Sequence, residues 1–180
     1  MKRIFALFAV LVVAVFVLNG YMTQASNQDS FWAEAAQGGM AEVALANLAL
    51  QKSQNEEVKK MAQMMIDDHT KASEELKPLA MSKNVMLPAA MDSKHQSMMS
   101  KMSGMSGAEF DMMYVKAMVK DHEKAVSMFQ KESTGGKDAD AKAFATKQLP
   151  VLQEHLTMAQ SMMNGMKKGG GMSNGKMSGM

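Results

Sequence analysis

The residues able to do chemistry in this chain are soft donors of few kinds: 24 methionines, four histidines and no cysteine. Met65 precedes His69 by four residues, Met118 precedes His122 by four, and Leu152 precedes His155 by three. Side chains three or four apart share one face of a helix. That spacing puts each of these histidines on the apolar stripe of a different helix. Each also follows an acidic residue: Asp68, Asp121 and Glu154. A fourth helix offers Glu42, flanking its inward face among Gly39, Ala46 and Ala49. Two readings follow. Glu42, His69, His122 and His155 can build a metal centre in a bundle core, with Met65 and Met118 softening the donor set toward Cu(I). Alternatively, the histidines are core residues paired with carboxylates or backbone carbonyls, and the methionines fill gaps. A carboxylate-rich di-iron centre is poorly supported. The residues three before His69, His122 and His155 are Ile66, Val119 and Leu152, so the Glu-x-x-His pattern is missing.

Methionine also collects in two further segments. Met91, His95, Met98, Met99, Met102 and Met105 crowd a short helix, where Met91, His95, Met98 and Met102 fall on one face. Met158, Met162, Met163 and Met166 lead into a Gly/Ser/Asn/Lys stretch carrying Met172, Met177 and Met180. Packing alone is not expected to use so many sulfurs in a short helix, or any in a tail of that composition. Clustered thioethers without thiols suit Cu(I) or Ag(I), and resemble the Met-rich segments of periplasmic copper- and silver-handling proteins. On this reading His95 with its methionines is an ordered metal site, and the tail is a low-affinity collector. The competing account is compositional drift, or sacrificial oxidation of methionine to sulfoxide.

The elements that must position these residues are helices. Prolines number three, and apolar residues recur at spacings of three and four. The periodicity predicts helices over about 29–51, 55–83, 92–102, 106–132 and 138–163. Asp29 or Ser30 is the expected first N-cap, and capping boxes are expected at Ser53–Glu56 and Ser106–Glu109. Pro78 is expected to kink or end the second helix. Gly38-Gly39, inside the first, is expected to mark a close helix contact. Tight links join the first two long helices and the last two, with a long link between the pairs. The predicted fold is all-α: a ferritin-like four-helix bundle of two antiparallel hairpins, with a crossover containing a short helix.

The N-terminus reads as an export signal. Lys2 and Arg3 precede an apolar run from Ile4 to Leu18, and Thr23-Gln24-Ala25 offers a cleavage site. The run is shorter than the roughly 20 residues of a membrane span. The predicted division is 1–25 signal peptide, 26–166 bundle and 167–180 flexible tail. Removing Lys2 and Arg3 from 20 basic residues leaves 18, against 18 acidic ones. That balance gives no electrostatic footprint for nucleic acid. Without cysteine the exported core has no disulfides. No nucleophile elbow or phosphate loop is present.

Several motifs resemble a known family. They are Ala35-Ala36-Gln37-Gly38-Gly39-Met40-Ala41-Glu42-Val43, then Met65-Ile66-Asp67-Asp68-His69-Thr70-Lys71-Ala72, then Leu149-Pro150 followed by Glu154-His155-Leu156. Over roughly residues 28–162 the chain resembles domain-of-unknown-function family 4142, a bacterial envelope family whose members are labelled outer membrane proteins. The resemblance implies a ferritin-like bundle in the periplasm or at the outer membrane, and no established reaction. The resulting expectation is a periplasmic, non-enzymatic protein that sequesters or relays Cu(I) or Ag(I), with an envelope metal exporter or chaperone as partner. A structural or stress-related role, with methionine as packing and oxidant buffer, is the first alternative. A metalloenzyme with a Glu42/His69/His122/His155 centre is the second.

Overall fold

The computed structural model describes residues 27–171, and the described chain is entirely helical apart from its links. The signal peptide, its cleavage site and Met172, Met177 and Met180 lie outside the described residues. Five helices follow in order: α1 (Asn27–Lys52), α2 (Glu56–Ser82), α3 (Ser93–Ser103), α4 (Gly107–Gly135) and α5 (Ala139–Gly171). Short links pair α1 with α2 and α4 with α5, and those pairs make the most extensive contacts. Contacts of α1 with α4 and of α2 with α5 join the two hairpins. The crossover between them contains α3.

The helix starts differ from expectation in their chemistry. Asn55, not Ser53, caps α2, its Oδ1 accepting from the backbone N–H of Glu57 at 2.9 Å. Ser53 is buried and instead accepts from the backbone N–H of Asn55. Ser106 stands at the cap of α4 without a side-chain cap bond. Gly107 follows with φ +57°, the left-handed region that favours glycine. Asp29 and Ser30 lie inside α1 rather than before it. Asp92 and Asp138 cap α3 and α5, each accepting backbone N–H bonds from the first turn. Pro78 does not end α2, which continues to Ser82. Residues 167–171, expected in the tail, continue α5.

The core has two halves of different composition. One is aromatic: Phe31, Trp32, Phe129 and Phe144 meet edge-on or tilted, with ring centroids 5.2–6.4 Å apart, beside Leu76 and Leu152. The other is rich in sulfur, with Met61, Met65, Met102 and Met118 fully buried around Leu45, Phe110 and Tyr114. Met98, Met99, Met105, Met158, Met162, Met163 and Met166 pack against this second half. Packing therefore does account for methionines in the short helix and the end of α5, contrary to the sequence expectation. An unbranched thioether chain adapts to the irregular gaps where helices diverge. Between the two halves lies a buried polar layer of Glu42, His69, His122 and His155.

Candidate metal centre

Each long helix delivers one residue to this layer: Glu42 from α1, His69 from α2, His122 from α4 and His155 from α5. One turn separates His69 from the buried Met65, and His122 from the buried Met118, so the core stripe itself carries the imidazoles inward. The stripe of α1 is rotated from expectation. Glu42 is 4% exposed and takes the interior position beside Leu45 and Ala46, while Val43 is only partly buried.

The three imidazoles converge. One ligand atom from each of His69, His122 and His155 lies within 4.8 Å of the others. Nε2 of His122 is 3.3 Å from Nδ1 of His155. Each ring is braced from outside by its other nitrogen. Nδ1 of His122 donates to the Met118 carbonyl at 2.9 Å. Nε2 of His155 donates to Oδ2 of Asp68 at 3.1 Å. Nδ1 of His69 meets Oε2 of Glu42 at 3.1 Å, leaving Nε2 of His69 buried with no hydrogen-bond partner. The other Glu42 oxygen lies 3.4 Å from Nδ1 of His122.

This pattern fits a metal ion on two grounds. Metal-binding histidines hold their tautomer by a hydrogen bond from the second nitrogen to a carboxylate or carbonyl, and His122 and His155 have that brace. The braces commit their protons outward, so His122 Nε2 and His155 Nδ1 present lone pairs to each other. Two nitrogens bound to one ion at about 2.0–2.1 Å in tetrahedral geometry sit about 3.3 Å apart, matching their separation. The orphaned Nε2 of His69 could supply the third donor.

The electrostatics keep His69 and His122 neutral. Burial, then the neighbouring imidazoles of His122 and His155, push His69 well below its ordinary 6.5. Burial and His155 push His122 down to about 4, against the opposing bond to the Met118 carbonyl. Burial, then the charge of Asp121, raise Glu42 to about 8. Near pH 7 the Glu42–His69 contact is thus a hydrogen bond between neutral groups rather than an ion pair. Neutral imidazole is the form that binds metal.

The remaining candidates are dispersed. His95 is buried in α3, but its ring nitrogens face carboxylates: Nδ1 is 2.7 Å from Oδ2 of Asp92, and Nε2 is 3.4 Å from Oδ2 of Asp121. Met91 lies before α3 rather than on its face. Met102 is wholly buried, while Met98, Met99 and Met105 pack on the sulfur-rich half. Met158, Met162 and Met166, together with Met61 and Met64 of α2, line a groove between α2 and α5. Met163 packs beside them against the core. Asp68 is the residue that sequence reading noted only as a neighbour. Its place beside His69 in the chain gave no sign that it braces His155 on another helix.

Solved structures share this fold. A DUF305 fragment from Deinococcus radiodurans matches with a TM-score of 0.68 and 13% identity, over 78% of this chain and 97% of that one. CopM in its Cu(II)-bound form matches with a TM-score of 0.65 and 19% identity, over 77% and 96%. A DUF305 protein described as secreted, from Streptomyces coelicolor, matches with a TM-score of 0.64 and 13% identity, over 78% and 92%. At these identities the likeness is one of fold. No curated protein matches the chain. The sequence pattern of one family covers residues 20–162, most of the chain and all four residues of the polar layer, and the chain belongs to that family, Domain of unknown function (DUF4142).

Proposed function

We propose that this protein is an exported copper-binding protein whose metal centre is His69, His122 and His155, with Glu42, Asp68 and the Met118 carbonyl bracing the ligands. The observation that carries the reading is the convergence of three buried imidazoles with ligand atoms within 4.8 Å of one another. An all-nitrogen set favours copper or zinc over magnesium or calcium, and copper(II) binds most tightly in the divalent series. The Cu(II)-bound form of CopM, on the same fold, makes copper the first ion to test. The signal-like N-terminus supports export to the periplasm, where an exporter or metal chaperone would be the partner that loads or empties the centre.

The Met groove between α2 and α5 favours a second, soft-metal role. Met61, Met64, Met158, Met162 and Met166 line it, and thioethers take Cu(I) or Ag(I). Met172, Met177 and Met180 would extend that donor supply. The packed Met98, Met99, Met102 and Met105 and the carboxylate-paired His95 are assigned to structure.

The deciding experiment is a Cu(II) titration of residues 26–180 followed by electron paramagnetic resonance. One tight equivalent with nitrogen splitting is expected, lost in His122→Ala and retained in His95→Ala. Equal binding by the His122→Ala protein would overturn the assignment.

A further inference from the structure

Gly38 and Gly39 stand four and three residues before Glu42, on its helix face one turn back. They do not mark the close helix contact that the sequence leads one to expect. A Cβ built at either position meets nothing within 4 Å. Two glycines inside a helix weaken it, here with no packing in return. They border a chamber of about 90 Å³ that reaches from the polar layer toward the exposed Glu34 and Lys124. Glu42, His69 and His155 form part of its wall, and Leu76, Phe144 and Leu152 face it from the aromatic half. His69 has a side chain 8% exposed and an Nε2 without a partner.

We infer that this chamber is an open coordination position, where a metal held by His69, His122 and His155 takes a small exogenous ligand, water or a monodentate anion. The inference rests on the metal reading above. Three protein donors leave a position for an outside ligand, whereas closed structural sites supply four. The missing side chains at positions 38 and 39 keep that position open. A water occupies about 30 Å³ of liquid, so the chamber admits a few waters or a triatomic anion.

Azide titration of the Cu(II)-loaded mature protein tests this, read by the azide-to-copper charge-transfer band and the resonance spectrum. The native protein is expected to show a saturable band. Gly39→Leu is expected to keep its copper signal and weaken azide at least tenfold. Gly39→Ala fills less space, and is expected to raise the thermal midpoint because alanine favours the helix and meets open space. Equal azide affinity in native and Gly39→Leu proteins overturns the chamber, as does a copper-loaded native protein without an azide response. Absence of any copper signal in the native protein overturns the metal reading and the chamber with it.

Discussion

Nε2 of His122 and Nδ1 of His155 lie 3.3 Å apart. When both rings are neutral and their partner nitrogens donate to the Met118 carbonyl and the Asp68 carboxylate, neither inward nitrogen carries a proton to offer the other. The contact is one of facing lone pairs, and a cation between the rings relieves it. Asp68 enforces the arrangement. Asp68→Ala is expected to weaken Cu(II) binding by about 10–100-fold, the usual effect of losing a brace on a metal-bound histidine. Asp67→Ala is the control, since Asp67 is exposed and bonded to Gln63. Competition against a chelator of known affinity measures both. Equal affinities in the two variants would remove Asp68 from the centre.

Metal binding should appear as stability. An ion that binds only the folded state at 100 times its Kd adds about 2.7 kcal/mol. For a chain of this size that is roughly 5–10 °C in thermal midpoint. Scanning calorimetry with and without one equivalent of Cu(II) should show the rise in the native protein and none in His69→Ala. A rise of the same size in the variant would place the ion elsewhere.

The metal-free protein should be most stable near pH 6.5. Glu42 has a folded value of about 8, above its ordinary 4.5. Its contribution is complete below 4.5 and is lost as pH rises through 8. His122, at about 4, and His69, well below 6.5, act in the opposite sense. Their contribution is present above 6.5 and is lost as pH falls toward 4. Between 4.5 and 6.5 two histidines outweigh one carboxyl, so stability rises with pH; above 6.5 only Glu42 acts, and it falls. Denaturant midpoints from pH 4 to 9 should trace this curve. Glu42→Gln should abolish the decline above pH 6.5, and persistence of that decline would count against a protonated Glu42.

Methionines with packing roles separate from those with donor roles by substitution. Met61→Ala removes a fully buried side chain and is expected to cost about 2–5 kcal/mol. Met158→Leu, Met162→Leu and Met166→Leu conserve volume and should cost less than about 1.5 kcal/mol each. The triple leucine variant removes three of the five groove thioethers. It should stay folded and bind less Ag(I) than the native protein. Undiminished Ag(I) binding would leave packing as the whole role of these residues.

Much of the centre was legible in the sequence because helical spacing is local. Met65 to His69 and Met118 to His122 are single turns, so a three-and-four count places the histidines inward without knowledge of the partner helices. The same count erred by part of a turn on α1. Alanine and glycine surround Glu42 there, and such small residues mark an inward face weakly. Core packing by Met65 and Met118 was one reading of the sequence, but the packing of the α3 methionines was not legible. Met98, Met99 and Met105 gain core neighbours only because α3 packs against α1 and α4, a long-range placement that composition does not encode.

The sequence by itself determined the helices, their pairing into hairpins and the presence of one inward imidazole on each of three helices. These follow from periodicity and link length, which act over a few residues. Only the tertiary structure decided that the three imidazoles stand at one level. It also set Asp68 of α2 against His155 of α5, and made Gly38-Gly39 border empty space instead of a neighbouring helix. Those relationships depend on the axial register of helices far apart in the chain. Register is fixed by the filling of both core halves together, aromatic on one side of the polar layer and sulfur-rich on the other.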